Sequence, residues 1–384
     1  MDASIPFDLL VATPDGPIPL TADRAQIALP QGPDSRRDAL LYGPYLEALA
    51  AFLKQDDWTP LKEALGRCLG QPVSLEEIQK VEIISEKHGA LYHVAHVKVH
   101  LASETCELAM NVAVSPREQA VLEREFALLG ELKQRFGLPY LPAPAVRGRA
   151  VYRPETGSPK NLHVFLAEWF EGFHEFHLSS PSNGGQIGIR LWDSTAGEPF
   201  LTPFQTRSLY RKAAFILTSY LDPGTFSEVF PWHHAAGDFV ARVDVDEVQL
   251  RLITVRGIRR LLDNDADPEA AWFAVARFFI ELTLRLRLDR LDGTGELVWA
   301  GPECLAPIVD GFLDAWNAKA AEHPSLPPRE VMKDFLGQFS SSDWMSIAEV
   351  IWGDDSLDED DLKLLKSHLP EHTRQLTGSL RDLR

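Results

Sequence analysis

The chain has 384 residues, and its 56 Asp and Glu against 38 Lys and Arg give a formal net charge of −18 at pH 7. This length leaves room for two or three units of roughly 150 residues each, and 45% hydrophobic with 24% charged residues excludes a largely disordered chain. The negative charge argues against nucleic-acid binding and against docking on anionic membranes, because both rely on excess Lys and Arg.

Residues 1–72 predict an N-terminal helical extension. The first thirty residues mix strand-like runs with turn residues, and apolar positions at three- and four-residue spacing then predict helices over 37–54 and 58–68. Ser74 and Glu77 have the spacing of a capping box, which predicts one further helical turn.

Residues 73–172 predict a small sheet with one helix. Pro116 opens the helix, since proline is tolerated in a first turn, and its apolar residues share one face. The predicted strands cover 80–86, 90–100, 105–114, 145–152 and 162–169. The resulting order is three strands, one helix and two strands.

Residues 173–384 are predicted to be mainly helical. A short strand pair is expected around 187–192, and alternation predicts a hairpin of 239–243 and 248–255 around a turn at 244–247. The predicted helices cover 203–220, 268–288, 304–321, 328–339, 342–351 and 357–369.

Cysteine usage and hydropathy bear on the compartment. Cys68, Cys106 and Cys304 are far apart in sequence without a CxxC pair, which favours neither a disulfide framework nor a cysteine-built zinc site. The most apolar stretch, 270–284, carries two charges and is shorter than the roughly 20 residues that span a bilayer. The first residues contain no cationic region typical of a signal peptide. We therefore expect a cytoplasmic protein without a membrane partner.

Two segments point to a family. The sequence AEWFEG at 167–172 follows the last predicted strand, and WHHAAGDF at 232–239 precedes the predicted hairpin. In this order they resemble the hinge and the H-G-D-F catalytic loop of aminoglycoside- and choline-type small-molecule phosphotransferases. The resemblance implies an α+β, two-lobed protein-kinase-like fold, with a five-stranded antiparallel N-lobe carrying one helix (73–172) and a mainly helical C-lobe (173–384).

The resemblance also implies site residues. Asp238 would orient or deprotonate the attacking hydroxyl, although a Gly-Asp pair equally marks an ordinary turn. Gly89 would belong to the nucleotide loop, where a single glycine is also typical of a plain β-turn. The backbone groups of Glu168 and Phe170 would face the edge of a purine. If the protein is active, ATP is the expected cofactor and phosphoryl transfer the reaction.

Several positions depart from the family pattern. Asn111 stands where the phosphate-pairing lysine belongs, and no lysine occurs between Lys98 and Lys133. Lys98, on the preceding strand, or Lys87, in the loop of Gly89, could substitute for it. Val243 stands where the catalytic-loop asparagine belongs, and residues 248–262 contain no carboxylate for a metal. We therefore expect a magnesium site to be absent.

Arginines follow the hairpin where a metal carboxylate is missing: Arg251, Arg256, Arg259 and Arg260. Guanidinium groups could replace the metal's charge and hold an anion, or could pair with acidic residues of the C-lobe. Arg256 is expected to point toward Asp238 in the inter-lobe cleft, where it either pairs with that carboxylate or holds an anion.

Three hypotheses follow. The first is a degenerate kinase-like protein, a pseudokinase, that binds a nucleotide, an anion or a partner. The second is an active but divergent phosphotransferase with Asp238 as its base. The third is kinase-like architecture without nucleotide binding. Neither a substrate nor a protein partner can be named from the residues.

Overall fold

A mixed sheet dominates the first part of the described chain and most of the long helices follow it, which confirms the α+β class. The structure is a computed structural model and describes residues 5–29, 40–88, 92–155, 157–181, 184–193, 197–232, 235–245, 247–262, 268–352 and 359–382. The chain divides into two units, Met1–Glu171 (unit 1) and Gly172–Arg384 (unit 2).

Unit 1 is built on a mixed sheet, which has seven strands among the described residues. The strands are β1 (Phe7–Val11), β2 (Ile18–Pro19), β3 (Ile78–His88), β4 (His93–Leu101), β5 (Thr105–Ala113), β6 (Pro144–Tyr152) and β7 (Lys160–Glu168). Their spatial order is β2-β1-β3-β4-β5-β7-β6. The pair β1–β3 is parallel, and the other neighbours are antiparallel.

This sheet corrects the expectation of five antiparallel strands. Those five are present as β3-β4-β5-β7-β6, but β1 continues the sheet beyond β3, with Phe7 opposite Val81 and Val11 opposite Ser85. Without β1, the unpaired N–H and C=O groups of β3 would form an open sheet edge. Residues 1–72, predicted as a helical extension, therefore contribute two strands to the same sheet.

Helices cover both faces of this sheet. They are α1 (Ala22–Ala25), α2 (Tyr42–Leu53), α3 (Gln55–Leu69) and α4 (Pro116–Phe136). Helices α2 and α3 pack on the face that carries Val97, Leu108 and Val164. Because side chains alternate along a strand, Phe165 lies on the opposite face, where its ring centroid is 5.7 Å from that of Phe126 of α4.

A glycine allows α2 to approach β6. A Cβ added at Gly148 would lie 2.6 Å from Cε2 of Phe52, a side chain that is 1% exposed. Any side chain at this position would therefore displace a packed ring.

Unit 2 combines antiparallel strand pairs with longer helices. Its strands are β8 (Phe176–Ser179), β9 (Gly188–Leu191), β10 (Ser227–Val229), β11 (Phe239–Val243), β12 (Val248–Leu252), β13 (Ile258–Arg260), β14 (Leu288–Arg290) and β15 (Leu297–Trp299). The pairs are β8–β9, β10–β13, β11–β12 and β14–β15. The helices are α5 (Pro203–Ser219), α6 (Ala235–Asp238), α7 (Pro268–Arg285), α8 (Leu305–Glu322), α9 (Arg329–Leu336), α10 (Ser341–Ile351) and α11 (Glu359–Asp382).

The last helix runs further than its sequence predicts. The predicted helix 357–369 ends before Pro370, and a proline inside a helix removes a hydrogen bond at a cost of about 3 kcal/mol. Helix α11 instead continues to Asp382, since Leu369, Leu376 and Leu380 bury one continuous stripe. None of the described helices combines the length and the apolar character needed to cross a membrane.

Candidate functional site

Asp238 lies at the end of the short helix α6, directly before the hairpin β11–β12. The hairpin register sets Phe239 opposite Leu252, and the N–H of Ile253 donates to the carbonyl of Asp238 at 2.9 Å. The chain that leaves β12 is thereby returned to Asp238. This explains how Arg256, which follows β12 in the chain, comes close to Asp238.

Arg256 and Asp238 form a buried ion pair. The Nη2 group of Arg256 donates to Oδ1 of Asp238, and the exposed fractions of the two side chains are 15% and 1%. Pairing was one of the two outcomes expected for Arg256. The Nη1 group of Arg256 is buried and has no hydrogen-bond partner among the described residues.

The neighbouring Arg259 lies in a second ionic cluster. Its guanidinium bonds Glu228 and Glu281 and lies 3.4 Å from the ring centroid of Phe230. Arg285 also bonds Glu281, at 2.9 Å. Burial raises the pKa of Glu228 to about 7, while the two carboxylates raise the pKa of Arg259. Arg259 therefore pairs with acidic residues, which was one of the two alternatives for these arginines. The pairing lies in the interior of unit 2.

The other two arginines of this run differ from each other. Arg251 donates through Nη1 to the carbonyl of Leu250 at 3.0 Å, and its guanidinium lies 5.0 Å from the ring centroid of Phe173. Arg260 ends β13 and is exposed. The four arginines therefore do not form one basic patch.

A second buried pair supports the turn that carries Asp238. Helix α6 contacts both β8 and β14. His177 of β8 holds its Nδ1 at 3.2 Å from Oδ1 of Asp289 of β14, and Oδ2 of Asp289 accepts the N–H of Leu178 at 2.7 Å. The pairing of His177 with Asp289 has no signal in the sequence, because residues so distant meet only through the fold. It fixes the strands against which α6 packs.

The donors around Asp238 do not suit magnesium. Mg²⁺ needs several oxygen ligands at short distance, whereas the carboxylate here bonds a guanidinium cation. Within the parts of the chain that the structure describes, no group of three or more His, Cys, Asp or Glu side chains is arranged to hold a metal ion. The described residues at this place therefore do not fit the magnesium ion that phosphotransferases of the resembled family use.

Lys98 does not stand free on its strand. Its Nζ lies 3.3 Å from Oε1 of Glu107 on the neighbouring β5, and Nε2 of His96 lies 2.9 Å from the other oxygen of that carboxylate. The hydrogen bond with His96 and, after it, the charge of Lys98 lower the pKa of Glu107. Asn111, at the expected lysine position, lies on β5 opposite Phe165.

The segment expected to act as a hinge is occupied by protein groups. The N–H of Glu168 donates to the carbonyl of Ala143 at 3.0 Å, and the N–H of Trp169 donates to that of Glu107 at 3.3 Å. Contrary to expectation, the Glu168 donor is therefore not available to the edge of a base, because the backbone pairing continues to the end of β7. Phe170 follows outside the strand and is half-buried.

The Trp169 ring covers part of the sheet face that carries His96. It stacks on His96 with the ring centroids 3.9 Å apart and the planes at 11°. Together with the Glu107 bonds, this arrangement fills the sheet surface beside the end of β7 with side chains of unit 1 itself.

Gly89, predicted for the nucleotide loop, falls outside the described residues, as do His233 and His234 of the catalytic-loop-like segment. No model of a known protein family matches the chain, and no curated protein is significantly similar to it.

Proposed function

We propose that the chain is a degenerate kinase-like protein, a pseudokinase, that acts by binding rather than by phosphoryl transfer. In this proposal unit 1 corresponds to the N-lobe, enlarged by β1 and β2, and unit 2 corresponds to the helical C-lobe. The family resemblance is the reason to propose a kinase-like architecture. The residues around Asp238 are the reason to propose that the protein does not transfer phosphoryl groups.

The ion pair of Asp238 with Arg256 carries the proposal. A catalytic-loop aspartate must accept or orient the proton of the attacking hydroxyl. Here one of its oxygens bonds a guanidinium and its side chain is 1% exposed, so a substrate hydroxyl would have to displace Arg256. An active phosphotransferase with Asp238 as base is therefore the least supported of the three hypotheses.

The charge at this place has the wrong sign for a metal. Arg256 follows the second hairpin strand, where the family carries its metal-binding carboxylate, and its cation would repel Mg²⁺. The same cation suits a phosphate or another anion, since guanidinium groups bind such oxygens through paired hydrogen bonds, and its Nη1 has no hydrogen-bond partner among the described residues.

A second candidate is kinase-like architecture without any nucleotide site. It is favoured by unit 1, where the Glu168 N–H bonds Ala143, the Trp169 ring stacks on His96, and Lys98 bonds Glu107. The first and the last of these contacts occupy groups that were expected to contact a bound nucleotide, the Glu168 N–H and the Lys98 ammonium group. In this case the protein would act through partner binding alone.

Thermal-shift titrations separate these possibilities. ATP, ATP with MgCl₂, and inorganic phosphate are each added to the wild type and to Arg256→Ala, with Arg260→Ala as the matched control because Arg260 is exposed. A ligand at one hundred times its Kd stabilises by about 2.7 kcal/mol, so binding is readily visible. The pseudokinase proposal expects no additional stabilisation from magnesium.

The outcomes are distinct. Stabilisation by ATP or phosphate that is lost only in Arg256→Ala supports an anion site at Arg256. No stabilisation by any of the three supports the second candidate. A magnesium-dependent shift that disappears in Asp238→Ala, together with release of ADP in the presence of an aminoglycoside or choline, would overturn the proposal.

A further inference from the structure

The strand β6 forms one edge of the sheet of unit 1. The opposite edge is the two-residue strand β2, whereas β6 is nine residues long. A long edge strand presents a row of backbone N–H and C=O groups with which another extended chain can pair. Of the two edges of this sheet, β6 is therefore the one with room for an added strand.

Every second residue of β6 turns its backbone groups away from the neighbouring strand β7. Arg149 is one of these residues, because its carbonyl accepts a hydrogen bond from Nε2 of Gln55 at 3.0 Å. Arg147 and Val151 belong to the same alternation, and their outward N–H and C=O groups have no backbone partner among the described residues. Side chains of unit 1 therefore close this edge only in part.

A groove lies along this edge, between β6 and helix α2. Its volume is about 340 Å³, and it is lined by Pro44, Glu47, Ala48, Ala51, Gln55, Val151 and Arg153. Because the alanines of α2 are small, side chains of an added strand can enter the space between the helix and the strand. Pockets of this kind beside a free edge select the side chains of a peptide that pairs as a strand.

The two faces of β6 carry different side chains. Gly148 faces α2, and Arg147 faces α4, where it bonds Glu123. Since side chains alternate along a strand, Arg149 also lies on the α4 side. The side chains of Arg149 and of Arg153, which follows the end of β6, are exposed and have no carboxylate partner among the described residues. An added strand therefore meets positive charge on one face and the groove on the other.

We propose that the edge of β6 binds an extended acidic segment of a partner protein, which pairs with β6 as a further strand of the sheet. Its carboxylates bond Arg149 and Arg153, and its alternate, uncharged side chains enter the groove, where Glu47 disfavours further acidic groups. A second copy of this chain is disfavoured as the occupant, because pairing of two β6 edges brings the same arginines against each other. The site lies within unit 1 and is independent of the anion site proposed at Arg256.

The first test measures binding of a synthetic peptide to the full chain by fluorescence anisotropy. The peptide alternates Glu and Val over nine residues, the length of β6, and both of its ends are blocked. It should bind with a Kd that rises with the NaCl concentration, because salt screens exposed charges. A matched peptide of alternating Lys and Val should bind at least about tenfold more weakly. No binding of the acidic peptide, or equal binding of the two peptides, would overturn the proposal.

Methylation of the peptide nitrogens tests the backbone pairing. Only alternate N–H groups of an added strand face its neighbour, so one acidic peptide carries N-methyl groups on its Glu residues and another on its Val residues. One of the two should lose binding, and the other should retain it. Equal effects of the two methylation patterns would show that the peptide does not pair as a strand.

Variants of the chain locate the site. Changing both Arg149→Glu and Arg153→Glu should weaken binding of the acidic peptide at least about tenfold, whereas Arg124→Glu, at an exposed position of α4, should leave the Kd unchanged. Val151→Pro removes an outward N–H without touching the bonds to β7 and should also weaken binding. Equal losses in Arg124→Glu would contradict the proposal. A wild-type dimer in sedimentation analysis that Val151→Pro abolishes would also overturn it, since the occupant would then be a second copy.

Discussion

The guanidinium of Arg256 bonds the carboxylate of Asp238 in the interior of unit 2, although eighteen positions separate the two residues in the chain. The hairpin β11–β12 creates this contact, since it returns the chain to the residue from which it started. A cation thereby neutralises the carboxylate that a kinase-like catalytic loop would need.

Replacing Arg256 should destabilise the protein more than replacing Asp238. Arg256→Met leaves the buried carboxylate without its cationic partner, which costs about 3–5 kcal/mol, whereas Asp238→Asn leaves a guanidinium with 15% exposure and should cost less. Urea unfolding of both variants and of the double variant measures the coupling, expected to be about 1–3 kcal/mol. Arg260→Met should change the free energy of unfolding by less than about 0.5 kcal/mol. Strictly additive effects would contradict a direct interaction.

Glu228 should make the protein less stable as the pH rises toward neutrality. Burial raises its pKa from 4.5 to about 7, so between these values the folded protein holds a proton that the unfolded chain has released. The free energy of unfolding therefore falls with pH in this window, by about 3 kcal/mol at most, and levels off above it.

The matched variant is Glu228→Gln, whose amide oxygen can still accept the bond from Arg259. Its free energy of unfolding, measured by urea titration at several pH values, should lack that decrease between pH 4.5 and 7. Parallel profiles for the two proteins would show that Glu228 does not titrate in this range.

His372 should oppose stability in acid. It is 0% exposed, and burial, with the nearby Arg287 charge, holds its pKa well below 6.5. Arg287 can only donate, so Nδ1 of His372 accepts that bond at 3.2 Å and Nε2 donates to Thr283 at 3.0 Å. The neutral ring therefore fits this place.

The lowered pKa of His372 makes the free energy of unfolding fall as the pH decreases. Above pH 6.5 neither state is protonated; below it the unfolded chain gains a proton that the folded protein lacks, which lowers the free energy of unfolding by about 1.4 kcal/mol per pH unit. His372→Gln keeps a donor toward Thr283 but does not titrate. Its acid slope, measured by urea unfolding between pH 5 and 6.5, should be shallower than that of the wild type, and an equal slope would refute a neutral buried His372.

Gly148 should not tolerate a methyl group. In Gly148→Ala the new Cβ would lie 2.6 Å from the Phe52 ring, so α2 or the ring must shift, at a cost of about 1–3 kcal/mol. Gly130→Ala is the control, because it lies inside α4 with its nearest atom at 4.0 Å and should gain about 0.5–1 kcal/mol from helix propensity. Thermal and urea unfolding measure both, and an unchanged Gly148→Ala would contradict the close packing of α2 on β6.

Local patterns in the sequence were sufficient for most of the elements. The sequence predicts five strands where the structure has β3 to β7, and alternation predicts the hairpin β11–β12 with its first strand at the observed residues. The Ser74 capping box is present as expected. These features depend on neighbours within a few positions, so the residues themselves determine them.

The tertiary structure decided how these elements combine. The first strand, β1, joins the sheet through a parallel partner more than seventy positions away, and no local pattern specifies that pairing. For the same reason the sequence suggested an extension where the structure has two further strands. The apolar stripe of α11 likewise overrides the local effect of Pro370, because burial along a whole helix outweighs one lost hydrogen bond.

The candidate site divides in the same way. The sequence by itself determined that Asp238 follows a Gly, that no carboxylate occurs in 248–262, and that arginines stand there instead. Only the tertiary structure decided that Arg256 bonds Asp238 and that Arg259 bonds Glu228 and Glu281. A residue type fixes which interactions a side chain can make, but long-range packing selects the partner, because distant residues come within bonding distance only when the chain has folded.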